Sequence, residues 1–76
     1  MKAFILIDIR TGDIAEVVRQ MRRIDSISEA YMTFGPYDAV AVVNAEDVAQ
    51  LGRIMSTVIQ PIPGVLDTMT CIAVEE

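Results

Sequence analysis

A chain of seventy-six residues makes one small domain, 1–76, with a single core to carry the fold and no second domain to invoke. Hydrophobic residues form 53% of it, which excludes intrinsic disorder; no run reaches membrane-span length and no signal peptide is seen, so a cytoplasmic protein is expected. Six basic against eleven acidic residues disfavour nucleic-acid binding, and the lack of histidine removes the commonest general base and metal ligand.

Ala3 to Ile9 is a nearly continuous, Ile-rich apolar run, too short for most helices, and predicts a first strand. Thr11-Gly12 breaks it. Asp13 then predicts a helix N-cap with Glu16 completing a capping box, and Ile14, Val17, Val18, Met21 and Ile24 fall on one helical face. Arg22-Arg23 sits where that helix would end and where cations favour the dipole. From Ile27 to Phe34 the pattern alternates, with Ala30, Met32 and Phe34 on one face and Glu29, Tyr31 and Thr33 on the other, predicting a second, edge strand. A Gly35-Pro36-Tyr37-Asp38 turn follows, in which Gly35 supplies a positive φ.

Ala39 to Val43 is apolar on both faces and predicts a central strand. Asn44 reads as the N-cap of a second helix running to about Ile59, with Val48, Leu51, Met55 and Val58 buried, and Pro61 and Pro63 stop it. Gly64 turns the chain into a last strand, Val65 to Val74. Alternation there places Thr68 and Thr70 on one face and Asp67, Met69 and Cys71 on the other, with the lone Cys71 expected as a small buried hydrophobe.

The order strand, helix, strand, strand, helix, strand predicts an α+β, ferredoxin-like βαββαβ fold: a four-stranded antiparallel sheet with both helices on one face. Yet the first and third strands are apolar on both sides, Phe4 and Leu6 opposing Ile5 and Ile7, and Val40 and Val42 opposing Ala41 and Val43. A bare sheet face of that composition would be a large apolar patch, so two copies are expected to pair through their sheets in a homodimer, as in a dimeric α/β barrel.

No CxxC, HExxH, GxSxG or P-loop pattern occurs, so neither an enzyme nor a cofactor or metal site is expected. The turn suits a zwitterion better. Backbone N–H groups of Tyr37 and Asp38 could take a carboxylate, the Asp38 carboxylate an ammonium, and Tyr37, Phe34 or Met32 could wall an apolar side chain. The plainer reading makes Asp38 a turn carboxylate capping its own backbone, and Thr68 and Thr70 cross-strand filler.

Over essentially its whole length the chain resembles the RAM domain, the effector-binding and oligomerising half of Lrp/AsnC-type, or feast/famine, transcription regulators. Gly35-Pro36-Tyr37-Asp38 is similar to that family's Gly-x-Tyr/Phe-Asp turn, and Ile62-Pro63-Gly64-Val65 with Asp67-Thr68-Met69-Thr70 is similar to its Ile-x-Gly-Val-x-x-Thr-x-Thr ending. The resemblance implies sheet-paired dimers, assembly into octamers or similar rings, and amino-acid effectors held between dimers. Residue by residue it points to Gly35, Tyr37 and Asp38, with Thr68 and Thr70 from the strand. Full-length regulators of that family carry a helix-turn-helix domain before this part. This chain starts at the first strand, so it resembles the stand-alone form, expected to associate with full-length regulators and not to bind operator DNA. Pro36 removes one possible backbone donor.

Three other readings stand beside this one. An ACT domain shares the element order, but its ligand glycine lies in the first strand-helix loop, where Gly12 has only Thr11 and Asp13 around it. A dimeric α/β-barrel enzyme of the monooxygenase or isomerase kind would share the paired sheets, and a purely structural oligomerisation module would need no ligand.

Overall fold

The computed structural model describes residues 1–74. They form β1 (Lys2–Ile9), α1 (Ile14–Met21), β2 (Ile27–Met32), β3 (Ala39–Asn44), α2 (Val48–Ile54) running on into a π-helical turn (Met55–Ile59), and β4 (Val65–Ile72). The strands make one antiparallel sheet in the order β2-β3-β1-β4, so the two most apolar strands are central as their composition requires. This is the ferredoxin-like plan with both helices on one face.

Strand alternation divides the sheet cleanly. Ala3, Ile5, Ile7 and Ile9 of β1 and Ala39, Ala41 and Val43 of β3 are buried beneath the helices, where Val17, Met21 and Ile59 meet them. The opposite, open face carries Phe4 and Leu6 beside Val42 and Val40, flanked by Cys71 and Met69 of β4 and by Glu29 and Tyr31 of β2. Two registers slip, between Ile27 and Glu29 and between Asp8 and Ile9, leaving Ser28 and Leu66 without facing partners.

Local chemistry departs from expectation at the helix starts. Asp13 does precede α1, but its carboxylate accepts from Arg10 Nε at 2.9 Å and makes no cap bond, while Glu16 is held by Gln20 and Arg19. No capping box forms. Asn44 is the last residue of β3, facing Lys2, because the Ala45 N–H and carbonyl both bond to Met1 and prolong the ladder. The N-cap of α2 is instead Asp47, whose Oδ1 accepts from the Gln50 N–H at 2.8 Å. Starting the helix there turns Val48 outward, 61% exposed, and buries Leu51, Ile54, Met55 and Ile59. Asp47→Ala is therefore expected to cost about 1 kcal/mol in urea unfolding and Asn44→Ala much less, the reverse of the sequence expectation.

Three further expectations are corrected. α1 ends at Met21, so Ile24 packs on the core from the following turn. β2 ends at Met32, leaving Phe34 fully exposed. Cys71 is exposed, because it sits on the open face of the edge strand β4, paired with Phe4 and turned away from the helices. Glu75 and Glu76, expected to end the chain in solvent, lie outside the described residues. Gly64 is needed for two reasons: its φ is +100°, and a Cβ there would stand 2.8 Å from Asp13 Cβ.

Candidate functional site

The segment between β2 and β3, Thr33 to Asp38, is tied at its base and to the neighbouring strand. The Thr33 N–H donates to the Asp38 carbonyl at 3.0 Å, and Thr33 Oγ1 donates to the Tyr37 carbonyl at 2.7 Å. Gly35 has φ +139°, as the turn reading requires. Asp38 then binds β1 twice: its N–H donates to the Ile7 carbonyl at 3.0 Å, and its Oδ2 accepts from the Ile9 N–H at 2.8 Å. The turn cannot swing without breaking both.

That geometry revises the chemistry expected of the turn. The Asp38 N–H, predicted to meet a ligand carboxylate, is already used by Ile7. Its carboxylate caps β1 and not its own backbone. What remains is the Tyr37 N–H and Asp38 Oδ1, neither of which has a partner among the described residues. Asp38 also lines a cavity of about 350 Å³ with Ile14, Met32, Thr33 and Phe34, a mostly apolar recess with one carboxylate in its wall.

Tyr37 turns away from this recess, its hydroxyl donating to Met69 Sδ of β4 at 3.4 Å. Thr68 and Thr70 face Ile7 and Ile5 on the helix side of β4. Thr68 Oγ1 accepts from Gln60 Nε2 at 3.5 Å, in a separate cleft of about 230 Å³ with Val65, Leu66 and Asp67. Within one copy, then, Asp38 and Thr68 line different cavities, and Thr70 is exposed outside both. Gln60 was not foreseen because the helix was expected to end at Ile59; the π-helical turn carries one further residue into position, its N–H bonded to the Met55 carbonyl.

On the open face the Tyr31 hydroxyl donates to Glu29 Oε1 at 2.9 Å, and this bond, reinforced by the carboxylate's charge, pushes the Tyr31 pKa above its ordinary value. The protonated phenol is favoured in the folded state, so its contribution is fully present below about pH 10, the ordinary tyrosine value, and lost as pH rises through the folded pKa. Phenolate absorbance of the two tyrosines should therefore include one group titrating late, and Glu29→Gln should return it to the ordinary range. Among the described residues no three His, Cys, Asp or Glu side chains cluster to hold a metal, and no helix is long and apolar enough to cross a membrane.

Residues 2–76 match the family described as the Lrp/AsnC ligand binding domain. The chain is 37% identical over 75 residues to the HTH-type transcriptional regulator FL11 of Pyrococcus abyssi, covering 99% of this chain and 49% of that protein. The chain thus spans about half the length of the curated regulators it matches. Among solved structures it is similar to TTHA0845 from Thermus thermophilus, with 31% identity, a TM-score of 0.92, and coverage of 99% of this chain and 94% of that one. E. coli AsnC superposes with the same TM-score of 0.92 at 25% identity, over 99% of this chain and 51% of its own.

Proposed function

The chain belongs to the Lrp/AsnC ligand-binding domain family, and from that membership we propose that it is a non-enzymatic amino-acid-binding module serving transcription regulation. It acts through assembly: sheet-paired dimers join into an octamer or similar ring, or associate with full-length Lrp/AsnC-type regulators, without direct contact with nucleic acid. Gly35, Tyr37 and Asp38 bind the effector, and Thr68 and Thr70 of a neighbouring copy complete the site.

One observation carries this reading. Asp38 lines an apolar recess walled by Met32 and Phe34, and of its carboxylate oxygens only Oδ2 is bonded among the described residues, to the Ile9 N–H. A carboxylate so held is an ammonium acceptor fixed in place before ligand arrives, next to a surface for an aliphatic side chain. The separation of Asp38 from Thr68 and Thr70 within one copy agrees with a pocket shared between copies. Thermal shifts across the twenty amino acids test it: at least one should raise the melting temperature, and silence from all twenty would leave a structural module.

A further inference from the structure

A further concavity lies along the first helix. A groove of about 470 Å³ runs along α1, floored by Ala15, Val18 and Met32 and rimmed by Arg19, Arg22 and Arg23. The chain has six Lys and Arg residues in all and a net charge of −5, so half of its positive charge borders this one groove.

The three guanidinium groups differ in what they leave free. Arg19 pairs with Glu16, whose carboxyl is held below its ordinary pKa chiefly by the Gln20 hydrogen bond, with Arg19 and Arg23 adding attraction. Arg22 is held at both ends of its head group, Nε donating to the Ala30 carbonyl at 2.9 Å and the guanidinium standing 6.0 Å over the Tyr31 ring. Its terminal N–H groups have no hydrogen-bond partner among the described residues, and the head group that carries them is already ordered. Arg23 has no side-chain partner among the described residues. Three cations against one carboxylate leave an excess of two positive charges over an apolar floor, on which Met32 is 61% exposed.

We propose that this groove binds a short-chain aliphatic carboxylate: the carboxylate on Arg22 and Arg23, the hydrocarbon on Val18, Ala15 and Met32. The ligand differs in class from the zwitterion assigned to Asp38. Among the described residues no carboxylate lines the groove, and Glu16 beside it is engaged by Gln20 and Arg19, so an α-ammonium would meet chiefly like charge there. Each part of the groove has a use: planar forks for the anion, an apolar floor for the chain.

Calorimetric titration of the whole chain with 4-methylpentanoate, leucine and acetate tests the assignment. Leucine has the same carbon skeleton plus the ammonium, and acetate has the anion without the chain. 4-Methylpentanoate should bind at least about tenfold tighter than acetate and weaken about tenfold in Arg23→Gln, the size of one charge-assisted hydrogen bond. Its binding should survive Asp38→Asn. Any leucine binding should show the opposite pattern, so failure of the groove and failure of the Asp38 site are separately visible. No heat with 4-methylpentanoate, equal binding of acetate, or indifference to Arg23→Gln would each overturn the proposal. Displacement of 4-methylpentanoate by an acidic peptide of higher affinity would overturn it in favour of a protein-docking surface.

Discussion

Leu6→Glu is expected to keep the chain monomeric while leaving the monomer folded. Leu6 lies on the open face at the centre of the sheet, between Val40 of β3 and Met69 of β4, and is only half-buried in a single copy. A glutamate there remains solvated when the copy is alone. If two sheets pack face to face, it becomes an uncompensated charge in the middle of the interface, repeated by symmetry. The cost of such a burial is several kcal/mol, so the dimer should weaken by about three orders of magnitude in Kd. Light scattering with circular dichroism separates the outcomes: loss of mass with retained helix and strand signal supports sheet pairing, and unchanged mass refutes it.

The second large effect concerns Asp38. Asp38→Asn keeps an oxygen able to accept from the Ile9 N–H, so the staple between turn and β1 survives and stability should change by less than about 1 kcal/mol. The negative charge beside the Ile14–Met32–Phe34 recess is lost. An amino acid whose ammonium binds there should weaken between about tenfold and a hundredfold, the range of a charge-assisted hydrogen bond. Asp38→Ala confounds the two roles, because it also strands the Ile9 N–H and should cost a further ~1–3 kcal/mol in urea unfolding. Comparing the variants assigns the carboxylate: an Asn variant that binds as well as wild type leaves Asp38 a strand cap and nothing more.

The fold was legible because its signals are periodic and local. The Ala3–Ile9 and Ala39–Val43 runs marked the two central strands, and Phe4 and Leu6 opposing Ile5 and Ile7 marked a sheet with two apolar faces. What could not be read depends on contacts distant in sequence. Asn44 is a better N-cap by residue type than by position, and only the bonds between Met1 and Ala45 keep it in the strand and pass the role to Asp47. Cys71 looked like core because its neighbours alternate, yet burial in a strand depends on what lies beside it, and no strand of the sheet lies beyond β4. The candidate site divides in the same way. Gly35 and Asp38 were visible as turn chemistry. That the Asp38 N–H would be taken by Ile7 required the β1–β3 register, and Gln60 required a π-helical turn that the segment Met55–Ile59 does not announce.

The proposed pocket exists only between copies: Asp38 from one, Thr68 and Thr70 from another. Native mass spectrometry of the wild-type chain, titrated with each of the twenty amino acids, tests it most directly. Bound amino acid should appear on the dimer or larger assemblies and be absent from the monomer at every concentration. A monomer carrying the ligand, or assemblies that take up none of the twenty, would contradict it.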